Sequence, residues 1–334
     1  MAKPKSITVG KTDTRPLWKR LLYRRLKFLA VVAILLGVGF GGVYMFAPRL
    51  LIKADYARMA MAAHLEKHTV QAGDTQWSYY EGGEGPTLVL LHGFAARKEV
   101  WLESAKDLTN HFHVIIPDLP GWGESSRVAD GNYNINAQAD RLETFFSTLN
   151  MKGFVLVGHS MGGAIAGVFA AEHPDRLSSL VLMDSLGLTF KENDFAREAL
   201  AGKNPFIFDD RAGFEKASEL AFLHPRKIPG RLEDALITEN QDNRAFIERT
   251  FAQLNDKSQF LALDPVIGKL TMPVLGVWCH DDKIIDVSAL DTLRNGLKSS
   301  PSIGATVLSG CNHMPMMERP TETAQILTGF AIAH

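Results

Sequence analysis

Cysteine is scarce in this sequence, which contains only Cys279 and Cys311 among its 334 residues. Two cysteines are too few to staple a small fold, and they show neither C-x-x-C nor clustered spacing. Internal repeats and low-complexity tracts are also missing. A content of 46% apolar and 22% charged residues is typical of globular proteins and excludes disordered and collagen-like chains. The length allows one large domain or two small ones.

The net charge is close to zero, but the charges are unevenly distributed along the chain. Residues 1–28 contain nine Lys and Arg against a single acid, Asp13, which gives +8. The totals of 36 basic and 37 acidic residues leave 27 and 36 for the rest of the chain, which gives −9. A negative globular part argues against broad nucleic-acid binding, so we expect no nucleic-acid partner.

An uncharged apolar run of 20 residues, 28–47, follows the basic arm of residues 1–27. As a helix it covers about 30 Å, the thickness of a bilayer's hydrocarbon core, and it is predicted to be a transmembrane anchor. A cleaved signal peptide is the alternative, but Pro48 follows the run and no good small-residue cleavage site precedes it. We therefore favour an uncleaved anchor, followed by a juxtamembrane helix over residues 48–67.

The basic arm also predicts how the chain is oriented in the membrane. Positive residues stay on the cytoplasmic side, so the N-terminus is expected inside and the remaining chain outside the cytoplasm, which is the periplasm in a Gram-negative bacterium. Gly37 and Gly41 form a G-x-x-x-G spacing that could let two anchors approach closely, but glycine is common in membrane helices. The oligomeric state stays open.

From His68 onward, short apolar runs alternate with helical stretches. Near-continuous apolar strands separated by helices predict an α/β fold with a mostly parallel sheet covered by helices on both faces. Residues 79–85 are predicted to end a leading hairpin. The core is expected to comprise residues 68–185 and 272–334. The apolar strand runs cover residues 87–92, 113–118, 154–160, 177–185, 272–282 and 304–310.

Residues 186–271 show helical spacing and no apolar strand run, which predicts a helical cap inserted between two strands. Nine of the chain's 19 Phe lie in this segment, as expected for an apolar pocket roof. Any single ring is also explained by the core of the cap itself. The nine are Phe190, Phe195, Phe206, Phe208, Phe214, Phe222, Phe246, Phe251 and Phe260.

Residues 158–162 form a G-x-S-x-G motif between an apolar strand and a helix rich in Ala and Gly. In that context Ser160 is predicted to occupy a strained turn, and Gly158 and Gly162 leave the space that such a turn needs. The following helix start also places the backbone N–H of Met161 where an oxyanion would develop. Ser160 is therefore the candidate nucleophile.

A serine hydroxyl needs a base to take its proton and a carboxylate to orient that base. His313 follows the last strand, on a loop expected at the same edge of the sheet as Ser160, and is the best placed of the 11 histidines. For the acid we favour Asp282, at the end of the preceding strand. Asp281 and Asp184 remain alternatives, although Asp184 could instead cap the turn into the helical insertion.

A second oxyanion donor is expected from the loop after the first core strand, where Phe94 follows His92 and Gly93. Phe94 is the candidate for that backbone N–H. A plain strand-ending turn is the alternative.

Cys279, His280, Cys311 and His313 could in principle supply four zinc ligands. Because His313 is already explained as a base, we do not predict a metal site. A disulfide between the two cysteines fits better, given the extracytoplasmic side predicted for this part of the chain.

These motifs resemble the alpha/beta-hydrolase family over about 265 residues, from His68 to the C-terminus. The segments LLHGFAARKEVW, VIIPDLPGWGESS, GHSMGGAIAGVFAAEHP, KIIDVSALDTL and GCNHMPMMERP are most similar to membrane-anchored monoacylglycerol lipases and related bacterial lipases. The chain departs from that pattern at Cys279 and at Asn312, where relatives often or usually carry glycine.

The resemblance implies hydrolysis of acylglycerol esters through an acyl-serine intermediate, without a cofactor. It carries the nucleophile onto Ser160, the acid onto Asp282, the base onto His313 and the oxyanion donors onto Phe94 and Met161. We therefore expect a membrane-anchored serine hydrolase acting on lipid esters. The alternatives are a carbon–carbon bond hydrolase of ring-cleavage products and a ligand-binding protein without catalysis.

Overall fold

The computed structural model describes residues 16–334, so residues 1–15 of the predicted basic arm lie outside the described residues. The chain divides into two compact units, Met1–Leu51 and Ile52–His334. In the first unit, helix α1 covers Leu17–Phe46, and by length and composition it could span a membrane. It starts earlier than the predicted anchor, because the basic residues before residue 28 are good helix formers.

Helix α2 covers Pro48–Ala62 and is shorter than the helix expected over residues 48–67. It ends before His64, which has a φ of +53° in the left-handed region. Strand β1, Leu65–Ala72, then begins and pairs with β2, Thr75–Gly82. The sheet therefore begins three residues before His68, the predicted start of the core.

An eight-stranded sheet with the order β1-β2-β4-β3-β5-β6-β7-β8 forms the core of the second unit. The two leading strands are antiparallel, and β3 to β8 run parallel to one another. Their apolar side chains face helices on both sides of the sheet. The remaining strands are β3 Thr87–Leu91, β4 His113–Pro117, β5 Phe154–His159, β6 Leu177–Met183, β7 Val274–Cys279 and β8 Ile303–Leu308.

Two apolar layers lie against the sheet, one on each face. One contains side chains of α4, Ile135–Thr148, α5, Met161–Glu172, and α10, Ala289–Gly296. The other contains side chains of α3, Leu102–Leu108, and α12, Pro320–Ala333, which follows the short helix α11, Pro315–Glu318. The predicted α/β class, with helices on both faces of a mostly parallel sheet, is confirmed.

Four α-helices, one short 3₁₀ helix and no strand lie between the end of β6 and the start of β7, as predicted for a helical cap. The cap helices are α6 Asp194–Leu200, α7 Arg211–Ala221, α8 Gly230–Leu254 and α9 Lys257–Phe260. Three of them start at a residue whose side chain accepts a hydrogen bond from a backbone N–H group in the first turn. These residues are Asn193 for α6, Asp210 for α7 and Asp256 for α9.

Cys279, the last residue of β7, forms a disulfide with Cys311, and their Cα atoms are 5.4 Å apart. Both residues are buried. The bond joins the two loops on which the predicted acid and base lie. Because both sulfur atoms are used, the alternative set of four zinc ligands is not available.

Candidate active site

Ser160 occupies the turn between β5 and α5, with a φ of +54° and a ψ of −121°. This left-handed conformation is strained for a residue with a side chain and persists only where the surroundings hold it. The surroundings are tight, since a Cβ added to Gly158 would lie 2.3 Å from the carbonyl oxygen of Gly162. A Cβ added to Gly162 would lie 2.4 Å from the carbonyl oxygen of His92. The residues two positions before and two positions after Ser160 therefore have to be glycine.

The two predicted oxyanion donors have free N–H groups. Gly93 passes so close that a Cβ there would lie 2.9 Å from the Cβ of Ser160, and Phe94 is the next residue. Throughout residues 16–334, no carbonyl or side chain accepts a hydrogen bond from the backbone N–H of Phe94 or of Met161. Unpaired, fixed donors beside a nucleophile are what a developing oxyanion requires.

His313 and Asp282 form the predicted pair. The Nδ1 of His313 donates to Oδ2 of Asp282 at 2.9 Å, and both side chains are almost fully buried. The other carboxylate oxygen of Asp282 accepts from the backbone N–H groups of Ile284 at 2.8 Å and Ile285 at 3.0 Å. Three donors therefore fix this carboxylate. With Nδ1 donating, the Nε2 of His313 is the nitrogen that can take a proton.

The two alternative acids lie elsewhere. Asp281 is exposed and its carboxylate contacts Nδ1 of its neighbour His280 at 2.9 Å. Asp184 is fully buried at the end of β6, where its Oδ1 accepts from the backbone N–H of Cys279 at 2.8 Å. It therefore links β6 to β7 and does not cap the turn into the helical insertion. Burial and the neighbouring charge of Asp282 raise the pKa of Asp184 well above its usual range, which favours the protonated form of this carboxyl.

His159 is a residue of this site that the sequence analysis did not single out. Its Nε2 donates to the backbone carbonyl of His313 at 2.6 Å, and the two rings lie 4.8 Å apart. Burial and the nearby His313 lower the pKa of His159 well below its usual range, so its ring is neutral. The only signal in the sequence is its place next to Ser160. It connects the turn of Ser160, the candidate nucleophile, to the loop of His313, the candidate base.

A cavity of about 930 Å³ lies between the cap and the sheet. Phe94, Ser160, Met161 and His313 all line it, while Asp282 lies behind His313. Seven of the nine Phe residues of the cap contribute to its wall, which agrees with the expected apolar roof. They are Phe195, Phe206, Phe208, Phe214, Phe222, Phe251 and Phe260. Over residues 16–334, no group of three or more His, Cys, Asp and Glu is arranged to hold a metal ion.

Comparison with known proteins agrees with this geometry. A family model described as the alpha/beta hydrolase fold matches residues 86–320. A monoacylglycerol lipase of Xenopus laevis is 31% identical over 300 residues, which cover 86% of this chain and 88% of that protein. Lipase 3 of a Moraxella strain is 28% identical over 280 residues, or 83% of this chain and 87% of that one.

A solved structure of a bacterial membrane phospholipase A superposes with a TM-score of 0.81. It is 33% identical, and the match covers 92% of this chain and 98% of that one. The similarity therefore extends over nearly the whole of both chains.

The two buried acids can be told apart by replacing each with its neutral isostere. If Asp184 is neutral, Asp184→Asn leaves the hydrolysis of p-nitrophenyl acetate nearly unchanged. Asp282→Asn removes the charge that orients His313, so turnover is expected to fall by about 10³- to 10⁴-fold. Steady-state kinetics on both purified variants decides between them. An Asp184→Asn protein as inactive as Asp282→Asn would make Asp184 the acid.

The raised pKa of Asp184 also predicts that Asp184→Asn changes how the stability of the protein depends on pH. Because its pKa is raised, Asp184 keeps a proton in the folded protein that the unfolded chain releases above about pH 4. The wild type should therefore lose stability relative to Asp184→Asn as the pH rises above about 4 towards the raised pKa of the folded protein. Urea unfolding of both proteins over a series of pH values from about 4 upward measures the difference. Parallel curves would contradict a raised pKa of Asp184.

Proposed function

Because the chain belongs to the alpha/beta-hydrolase family, we propose that it is a serine hydrolase that cleaves carboxylic esters of lipids, with monoacylglycerols or similar acylglycerols as substrates. One observation carries the proposal. A serine on a strained turn lies beside two unpaired N–H donors, and a histidine that is hydrogen-bonded to an aspartate behind it lines the same cavity. This set of groups is suited to acyl transfer.

In the proposed reaction, Oγ of Ser160 attacks the ester carbonyl while Nε2 of His313 takes its proton. The carbonyl oxygen becomes negative and accepts hydrogen bonds from the N–H groups of Phe94 and Met161. Asp282 stabilises the imidazolium and holds its orientation. The C–O bond then breaks, and the leaving alcohol takes the proton from His313.

The second half of the reaction repeats these steps with water. His313 removes a proton from a water molecule, whose oxygen attacks the acyl-serine carbonyl. Collapse of this second intermediate returns the proton to Oγ of Ser160 and releases the fatty acid. Each step uses side chains and N–H groups of the chain itself.

The aromatic wall of the cavity supports a lipid acyl chain as the bound group. Burying apolar surface against Phe rings stabilises a bound chain by about 0.8 kcal/mol per methylene. The polar rim contains Tyr56 and the ion pair of Arg97 with Glu239, groups that can contact a hydroxylated alcohol portion. Relatives that are named monoacylglycerol lipases support an acylglycerol substrate.

The long apolar helix α1 supports membrane association. We propose a single-pass anchor with the N-terminus in the cytoplasm and the hydrolase domain outside it, because the basic residues precede the apolar run. The buried disulfide between Cys279 and Cys311 fits an oxidising compartment.

Activity is predicted on a chain-length series of monoacylglycerols and p-nitrophenyl esters, with purified full-length protein in detergent. Ser160→Ala should lose most of this turnover. Its remaining rate should exceed that of the uncatalysed reaction in water by at most about 10³- to 10⁴-fold, the enhancement that oxyanion binding alone provides. A maximum at medium or long acyl chains is expected, since the cavity wall is largely aromatic.

A ring-cleavage dienoate, added to the same series of substrates, tests the alternatives. Serine-dependent cleavage of a ring-cleavage dienoate, with all esters left intact, would replace ester hydrolysis by carbon–carbon bond hydrolysis. No serine-dependent turnover and no reaction with any substrate would favour a ligand-binding protein.

The proposed location of the domain predicts the redox state of its cysteines in cells. Intact cells are quenched with acid, and the denatured protein is alkylated before and after reduction. In the sample alkylated before reduction, mass spectrometry should find neither cysteine alkylated. In the sample alkylated after reduction, it should find both cysteines alkylated. Two thiols already alkylated before reduction would place the domain in the reducing cytoplasm.

A further inference from the structure

The C-terminal end of cap helix α7 is bound to the loops of the acid and the base. A helix leaves its last four carbonyl groups without partners inside the helix. The carbonyl of Ser218 accepts from the N–H of Phe222, just after the helix. The next three carbonyls have partners outside the cap.

Those three partners all belong to the two catalytic loops. The carbonyl of Glu219 accepts from Nζ of Lys283 at 3.0 Å. The carbonyl of Leu220 accepts from Nδ2 of Asn312 at 2.9 Å. The carbonyl of Ala221 accepts from the backbone N–H of His313 at 3.1 Å. The loops of acid and base thus cap this helix.

Asn312 makes the central contact of this arrangement. Its side chain is fully buried, and its Oδ1 accepts from the backbone N–H of Lys283 at 2.8 Å, next to Asp282. Its Nδ2 donates to Leu220. One partner is a donor and the other an acceptor, so only this orientation of the amide satisfies both. Asn312 therefore connects three segments: the acid loop, the base loop and the cap.

Glu318 reinforces the same connection from the other side. One of its carboxylate oxygens accepts from the backbone N–H of Asn312 at 2.8 Å. The other accepts from Leu223 at 2.8 Å and from His224 at 3.3 Å, which follow α7. The cap and the loop of His313 thus share one hydrogen-bond network.

Helix α7 also contacts the cavity. Phe214, Ala217, Ser218 and Ala221 contribute to the cavity wall. A ligand pressing on these residues therefore acts on a helix whose end is fixed to the loops of Asp282 and His313.

We propose that Asn312 is a positioning residue that holds the loops of Asp282 and His313 in one arrangement and ties both to the end of α7. This inference rests on the proposed ester hydrolysis. Glycine at this position could make neither side-chain bond.

The test compares Asn312→Ala and Asn312→Gly with the wild type on p-nitrophenyl acetate, whose short acyl group does not need the cap wall. Small misplacements of catalytic groups cost up to about a hundredfold in rate. We expect kcat to fall by about tenfold to a hundredfold in both variants, with KM nearly unchanged. A lost structural bond alone would lower thermal stability and leave kcat intact.

Asn134→Ala is the matched control. Asn134 also binds a backbone N–H through its side chain, at the start of α4, and contacts neither catalytic loop. It should lose thermal stability while keeping kcat. If the Asn312 variants behave like this control, with unchanged kcat below their melting temperatures, the proposal is overturned.

Failure of the proposed function and failure of this inference give different results. A wild type without serine-dependent hydrolysis would refute the proposed function itself, whereas an active wild type with unaffected Asn312 variants refutes only this inference. If neither Asn312 variant folds, Glu318→Gln takes its place, because it weakens the same network while keeping the side-chain shape. A reduced kcat in folded Glu318→Gln then supports the tie, and an unchanged kcat contradicts it.

Discussion

The strained turn at Ser160 is the constraint on which the rest of the site depends. A left-handed conformation at a residue with a side chain costs about 1–3 kcal/mol and needs surroundings that hold it. Here the backbone N–H of Ser160 donates to Met183 of the neighbouring strand, and its carbonyl accepts from Gly163 and Leu186. The sheet on one side and the start of α5 on the other thus hold the turn. Ser160 and Met161, on either side of the start of α5, both line the cavity.

Parallel strands bring the other groups to the same edge. The carboxyl ends of β3, β5, β7 and β8 meet there, so the loops carrying Phe94, Ser160, Asp282 and His313 converge although they are far apart in the chain. Two covalent or buried polar connections then limit their movement. The disulfide joins the ends of the acid and base loops, and Asn312 joins the same loops to the cap. Hydrogen bonds therefore connect a helix of the cavity wall to the loops of Asp282 and His313.

Local patterns in the sequence were sufficient for the fold and for the residues proposed as catalytic. Apolar runs predicted the core strands to within a few residues, and the spacing of Gly158, Ser160 and Gly162 predicted the strained turn. The start of β1 was missed because most of its residues are polar. This composition is typical of a half-exposed strand, whereas the predicted strands were identified from continuous apolar runs. Contacts between distant segments were not predictable. The contact of Asp184 with Cys279 spans 95 residues of the chain, that of His159 with His313 spans 154, and that of Asn312 with Leu220 spans 92. Each depends on the assembled fold.

The central claim is that Ser160 is a nucleophile activated by its surroundings, and covalent labelling tests it most directly. Native protein is treated with a fluorophosphonate, digested, and mapped by tandem mass spectrometry, with protein unfolded in urea as the comparison. The account predicts one adduct per chain, located on Ser160 in the native protein and missing after unfolding, because the hydroxyl reacts only beside His313 and the oxyanion donors. An adduct on another serine, or no adduct in the native protein, would contradict it.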